Sequence, residues 1–117
     1  MSAISIKIRL PYQHLVAIGP GKADLLEAID KSGSISAGAR AMGMSYKRAW
    51  DLVDAMNKSF REPLVATATG GSQGGGARVT PFGQDVLTRY RMMEAKANQS
   101  IIRDAEALAE LLQPLPH

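Results

Sequence analysis

Ser45, Tyr46, Lys47 and Arg48 stand together just ahead of a stretch in which Ala49, Leu52, Val53, Met56 and Phe60 recur at spacings of three and four. That spacing predicts a helix with one buried face, and Ser45 is placed to cap its start. Two hydroxyl-bearing side chains and two adjacent cations therefore sit at or beside its first turn. The helix dipole is positive at that end and disfavours cations there, so stability alone would have selected Asp or Glu. On an exposed first turn, Lys and Arg can donate hydrogen bonds to guanine edges, while Ser and Tyr can reach phosphates or bases.

Other chemistries find few residues. The chain has 117 residues, no cysteine and two histidines, His14 and His117. Disulfides, thiol nucleophiles and cysteine-ligated metals are excluded. A histidine metal site or a Ser-His-Asp triad would need one of the two peripheral histidines. Asp51 and Asp54, three apart beside Lys47 and Arg48, read as intrahelical ion-pair partners rather than a catalytic pair. The run Gly70-Gly71-Ser72-Gln73-Gly74-Gly75-Gly76 lacks the Lys-Ser or Lys-Thr and the following helix of a phosphate loop. No enzymatic activity, metal or cofactor is expected.

The elements that must position the basic turn can be read along the chain. Ile4-Ser5-Ile6-Lys7-Ile8-Arg9-Leu10 alternates apolar and polar residues and predicts a half-buried strand ended by Pro11, followed by a connector over 12–19. Pro20 opens a helix with the stripe Leu25, Leu26, Ala28 and Ile29, and Gly33 stops it. Ser34 or Ser36 caps a short helix containing Ile35, Ala39 and Met42. The small residues Ala37, Gly38, Ala39 and Ala41 let it cross a neighbour closely. Gly43 makes a tight turn into the helix that begins after Ser45. Short helix, glycine turn and longer helix form a helix-turn-helix. After Pro63, Leu64–Thr69 and Ala77–Thr80 can pair as a hairpin across the glycine run, which completes a winged helix. The expected fold class is mainly α with a small β-sheet (α+β).

Charge follows the same plan. There are 14 Lys and Arg against 11 Asp and Glu, a net charge of +3. No acid lies between Asp30 and Asp51, where Lys31, Arg40, Lys47 and Arg48 fall, nor between Glu62 and Asp85, around Arg78. The end of the chain, with Asp104, Glu106 and Glu110, is acidic. A basic middle suggests a face built for an anionic surface. In a helix-turn-helix the first turn of the second helix enters the major groove of DNA. The DNA-contacting set is then Ser34, Ser36, Arg40, Ser45, Tyr46, Lys47 and Arg48, with Gly71, Ser72, Gln73 and Arg78 from the wing. Trp50 either packs beneath the wing or the last helix, or lies against the DNA backbone.

Thr80-Pro81 predicts the start of a last helix reaching about residue 113. Its seam of Phe82, Val86, Tyr90, Met93, Ala97, Ile101, Leu108 and Leu112 is broken near Asp104. A long helix with one apolar seam pairs with a second copy or folds back over its own domain. The dimer reading assigns Val86, Tyr90, Met93, Ala97, Ile101 and Leu108 to the interface. The whole chain, 1–117, reads as one domain, with the dimerisation helix at 81–113 inside it.

The run from Gly33 to Asp51, with its Ser45-Tyr46-Lys47-Arg48-Ala49-Trp50 segment, resembles the DNA-binding domain of ModE, the molybdate-responsive bacterial transcription regulators. Met56-Asn57, the segment Thr69–Gly76 and Thr80-Pro81-Phe82-Gly83 continue the resemblance over nearly the whole chain. It implies a winged-helix homodimer on a palindromic operator, linked to molybdate or tungstate metabolism. ModE regulators also carry C-terminal oxyanion-binding modules. This chain has no residue that can be nominated for oxyanion sensing. The resemblance therefore implies a stand-alone DNA-binding form whose sensing falls to a separate partner, unless it acts through abundance or belongs to a longer chain. The leading expectation is a sequence-specific, cytoplasmic transcription regulator with double-stranded DNA as partner and no membrane contact. The alternatives are a DNA-architectural protein of low specificity and a protein-interaction module using the long helix.

Overall fold

A computed structural model describes residues 5–68 and 76–114. Eight elements follow one another: β1 (Leu10–Tyr12), β2 (Leu15–Ile18), α1 (Pro20–Ser32), α2 (Ile35–Ala41), α3 (Tyr46–Ser59), β3 (Val65–Ala68), β4 (Gly76–Val79) and α4 (Pro81–Ala109). They form a mainly helical α+β chain with two small antiparallel sheets, β1–β2 and β3–β4. The arrangement is a winged helix with a long C-terminal helix.

Local chemistry accounts for the helix boundaries. Pro20 starts α1, and Gly33 ends it with φ 82°, donating its N–H to the Ile29 carbonyl. The Ser34 hydroxyl accepts from Ala37 N–H at 3.0 Å to cap α2. Gly43, with φ 67°, lets the chain turn into α3. The Ser45 hydroxyl then accepts from Arg48 N–H at 3.1 Å. The close crossing expected from the small residues of α2 is present. A Cβ on Gly38 would stand 2.9 Å from Ile29 Cγ1.

The core lies where α1, α2, α3 and the wing base meet. Leu25, Leu26, Ile29, Val53, Met56 and Leu64 are its largest fully buried side chains. The wing strands pair Val65 with Val79 and Thr67 with Ala77. Val65, Ala77 and Val79 are buried, while Arg78 is exposed. The α1–α2 junction adds a further rung: Ala77 N–H donates to the Gly33 carbonyl at 2.9 Å. Asn57, near the end of α3, accepts from Leu64 N–H at 2.8 Å and Val65 N–H at 3.2 Å, and donates to the Val65 carbonyl at 3.1 Å. It holds the wing to α3.

The N-terminal segment differs from expectation. Of the strand predicted over 4–10, the described residues 5–10 are strand only from Leu10 onward, and the predicted connector contains β2. Leu10 pairs with Ile18 and Tyr12 with Leu15, with an irregularity beside Pro11, which has no N–H for the ladder. Residues 5–9 do alternate between exposed and half-buried. Their neighbour, however, is a helix: Ile6 N–H donates to Asn98 Oδ1, and the Tyr90 hydroxyl donates to the Ile8 carbonyl. Alternation reports one covered face, whatever covers it.

Helix α4 has two halves. Gly83, Leu87 and Tyr90 are buried against the chain's own core. Arg91 then bonds Asp24 and Glu27 of α1, each at 2.7 Å, and Glu94 at 2.9 Å. Burial opposes its charge. Hydrogen bonds to the three carboxylates outweigh that and hold the guanidinium above its ordinary pKa. Past this anchor, Met92, Met93, Ile102 and Leu108 are exposed.

The start of α4 fits only because residue 83 has no side chain. A Cβ there would fall 2.3 Å from the Leu64 carbonyl oxygen and 2.8 Å from Val79 Cγ1. Gly83→Ala is expected to destabilise the fold by about 1–3 kcal/mol despite alanine's better helix propensity. Gly21→Ala in α1 meets nothing within 4 Å and is expected to be neutral or stabilising by up to about 1 kcal/mol. Urea unfolding of the two variants checks both.

Candidate nucleic-acid interface

The first turn of α3 projects from the fold. Ser45, Tyr46, Lys47 and Arg48 are all exposed, while Ala49 behind them is fully buried. Helical periodicity divides the turn between two flanks. Tyr46 and Trp50 share one; Met44, Arg48 and Leu52 share the other.

On the Tyr46 flank a groove of about 180 Å³ is framed by α2, α3 and the wing base. It brings together Ser34, Ser36 and Tyr46 with Trp50 and Thr67. Ser34 and Ser45 spend an oxygen lone pair on capping their helices, which leaves each hydroxyl hydrogen free to donate. Ser36 accepts from Arg40 at 3.1 Å, so these two act as a unit on the surface of α2. Trp50 is 41% exposed and stands at the wing base, away from α4. Tyr46 is 52% exposed. Two adjacent aromatics with open faces on a projecting helix are unusual for a folded surface and fit a flat or groove-shaped partner.

Lys47 lies between the flanks and bonds Asp51 at 3.2 Å, both side chains largely exposed. Such a pair is weak and readily exchanged. Asp54 pairs with Lys58 at 2.8 Å rather than with Arg48. Arg48 points to the far flank, toward the start of α1. Arg78 is exposed on β4, opposite Ala66. Gly71, Ser72 and Gln73 lie outside the described residues.

The proposed dimer seam is divided by the fold. Tyr90 is 2% exposed and its hydroxyl is engaged within the chain; burial raises its pKa, with Glu94 adding to the shift. Val86 and Phe82 pack against the core, and Phe82 meets Phe60 edge to face at 6.4 Å. Ala97 and Ile101 are half-buried; Met93 and Leu108 are exposed. Sequence reasoning left Trp50 undecided and did not select Thr67. The spacing of four from Tyr46 was the signal for Trp50, whereas Thr67 reaches the groove only through the wing's folding.

A projecting, capped second helix with a wing at its side defines a helix-turn-helix protein of the DNA-binding class. The model of the bacterial regulatory helix-turn-helix proteins of the lysR family matches residues 22–84, and the chain belongs to that family. It is 40% identical over 95 residues to the molybdenum transport protein ModE of Azotobacter vinelandii, covering 81% of this chain and 35% of that protein. It is 38% identical over 105 residues to the DNA-binding transcriptional dual regulator ModE of Escherichia coli K12, covering 88% of this chain and 40% of that protein. It is 49% identical over 78 residues to the molybdenum-pterin-binding protein MopB of Rhodobacter capsulatus, covering 67% and 29%. The chain is thus a DNA-binding module of ModE type, and it spans well under half the length of these curated relatives. No helix among the described residues is long and apolar enough to cross a membrane.

Because Ser45 caps α3, its replacement reports on positioning as well as contact. Ser45→Ala is expected to lower stability by about 1 kcal/mol, whereas Ser45→Asn keeps an acceptor for Arg48 N–H and the original stability. Thermal unfolding compares the two.

Proposed function

We propose that the chain binds a palindromic DNA operator as a homodimer and regulates transcription in the cytoplasm. The first turn of α3 lies in the major groove, and Arg78 with the wing lies on the backbone. The observation that carries this reading is the exposed Ser45–Arg48 turn, with its cations at the positive end of a capped helix. Among the described residues the one carboxylate partner of these cations is Asp51, in an exposed and weak pair with Lys47. Ser34 and Ser36 at the start of α2, with Arg40 in its last turn, supply further contacts to the backbone. The role is one of binding rather than catalysis. The names of the relatives support a link to molybdenum metabolism, with effector sensing by a separate partner.

Selection of bound sites from random duplex DNA tests the reading. It should return one palindrome; retention of no preferred sequence would favour the architectural alternative. On the selected site Lys47→Ala should weaken binding by about 1–3 kcal/mol and relax preference at one symmetric position per half-site. Wild-type affinity and preference in Lys47→Ala would remove this side chain from the base contacts.

The dimer is assigned to the outer half of α4, through Met93, Ala97, Ile101 and Leu108. Val86 and Tyr90 serve it indirectly, by holding the helix on its own domain. Met93→Asp and Leu108→Asp place a charge on already exposed positions and should leave the fold intact. Each should shift sedimentation of a micromolar solution from dimer to monomer. A monomeric wild-type protein under the same conditions would overturn this assignment.

A further inference from the structure

A second groove, of about 530 Å³, runs along the flank of α3 that faces away from the wing. Arg48 and Leu52 form one wall; the other is made by the start of α1 and the extended segment before β1. Four cations line it: Lys7, Arg9, Lys22 and Arg48. They come from three separate parts of the sequence. Among the described residues none of the four has a carboxylate partner, whereas Lys47, Lys58, Arg89 and Arg91 all do. The stem of Arg9 lies over Gly19, where an added Cβ would come within 3.3 Å of its Cγ. Arg9 thus lines the groove beside the beginning of α1. That helix has no side-chain cap and no acid in its first turn, so the first-turn N–H groups of Gly21 and Lys22 have no acceptor within the helix. Partial burial, then the like charges of Arg48 and Arg9, lower the pKa of Lys22. The groove stores repulsion that an anion would relieve.

We propose that this groove seats a phosphate of the DNA backbone, on the side of the major groove opposite the wing. The inference rests on the DNA-binding reading above. An α-helix about 10–12 Å across fills a major groove about 12 Å wide, so sugar-phosphate walls stand on both of its flanks. The wing and the α2 hydroxyls meet one wall. Lys7, Arg9, Lys22 and Arg48 stand where the other must pass. Lys7 and Arg9 are exposed, so a free anion here would keep most of its contact with water. A backbone phosphate is held in place by the rest of the duplex. The helix is thus gripped from both flanks, and Arg48 faces a phosphate as much as a base.

The test uses Arg9→Gln/Lys22→Gln on the duplex selected by the wild-type protein, titrated between 50 and 200 mM salt. The slope of log affinity against log salt should flatten by about 0.9 per phosphate lost, roughly two units for a dimer. Base preference should stay as in wild type, and thermal stability should not fall, because both substitutions relieve like-charge repulsion in the groove. If the double variant does not fold, Arg9→Gln alone, at an exposed position, should flatten the slope in the same direction. A wild-type slope in a folded variant overturns the inference and leaves the DNA reading standing. So does a change in the preferred sequence. A third overturning result is that inorganic phosphate raises the melting temperature of the wild type but not the variant, while both keep one salt slope; the groove would then hold a free anion. A wild-type protein that binds no duplex removes the DNA reading and this inference together.

Discussion

The carbonyl oxygen of Leu64 is where α3, the wing and α4 hold one another in register. It accepts from Thr80 N–H at 2.9 Å, and Gly83 presses so close that no Cβ could intervene. On the other side of the same residue, Leu64 N–H is taken by Asn57 at 2.8 Å. The Leu64 side chain is fully buried. A backbone group bonded and buried in this way is costly to leave unpaired, which makes the junction rigid. The distance from wing to α3, and hence the shape of the groove between them, follows from that junction.

The surface built on this frame runs against local stability. Neither α1, α2 nor α3 carries an acid in its first turn, and α3 begins with two cations after Tyr46. Each choice forgoes the favourable interaction a carboxylate would make with the helix dipole. Both flanks of α3 carry the same unfavourable bias, while Asp24 and Glu27 of α1 are taken up by Arg91 of α4. Separation of charge between faces, more than net charge, marks this chain for an anionic partner.

The long helix is anchored by one half and presented by the other. Tyr90, Arg91 and Asn98 anchor it, Tyr90 and Asn98 through hydrogen bonds to the N-terminal segment and Arg91 through ion pairs to α1. A helix of 29 residues exceeds what this core can cover, so Met92, Met93, Ile102 and Leu108 remain exposed although Ala105 is buried. The same anchor fixes the direction in which that face points relative to the recognition turn. In the proposed homodimer, spacing between two half-sites would follow from this angle.

Helix starts and stops were determined by the sequence itself, because capping is local chemistry. Ser34, Ser45 and Thr80 accept from N–H groups three residues on, and Gly33 and Gly43 take backbone conformations that side chains resist. The helix-turn-helix, the wing hairpin and the exposed basic turn were legible for that reason. What only the tertiary structure decided concerns residues whose partners lie far along the chain. The alternation in residues 5–9 has a covered face, but whether strand or helix covers it depends on where α4 docks. The seam of α4 reads in sequence as one apolar face broken only near Asp104. Docking divides it, because Tyr90 meets Ile8 and Leu87 meets the core before any second copy can. Lys7, Arg9 and Lys22 carry no local signal at all. They join Arg48 only when the segment before β1, α1 and α3 fold together, since electrostatic clusters are properties of distance in space and not of spacing along the chain.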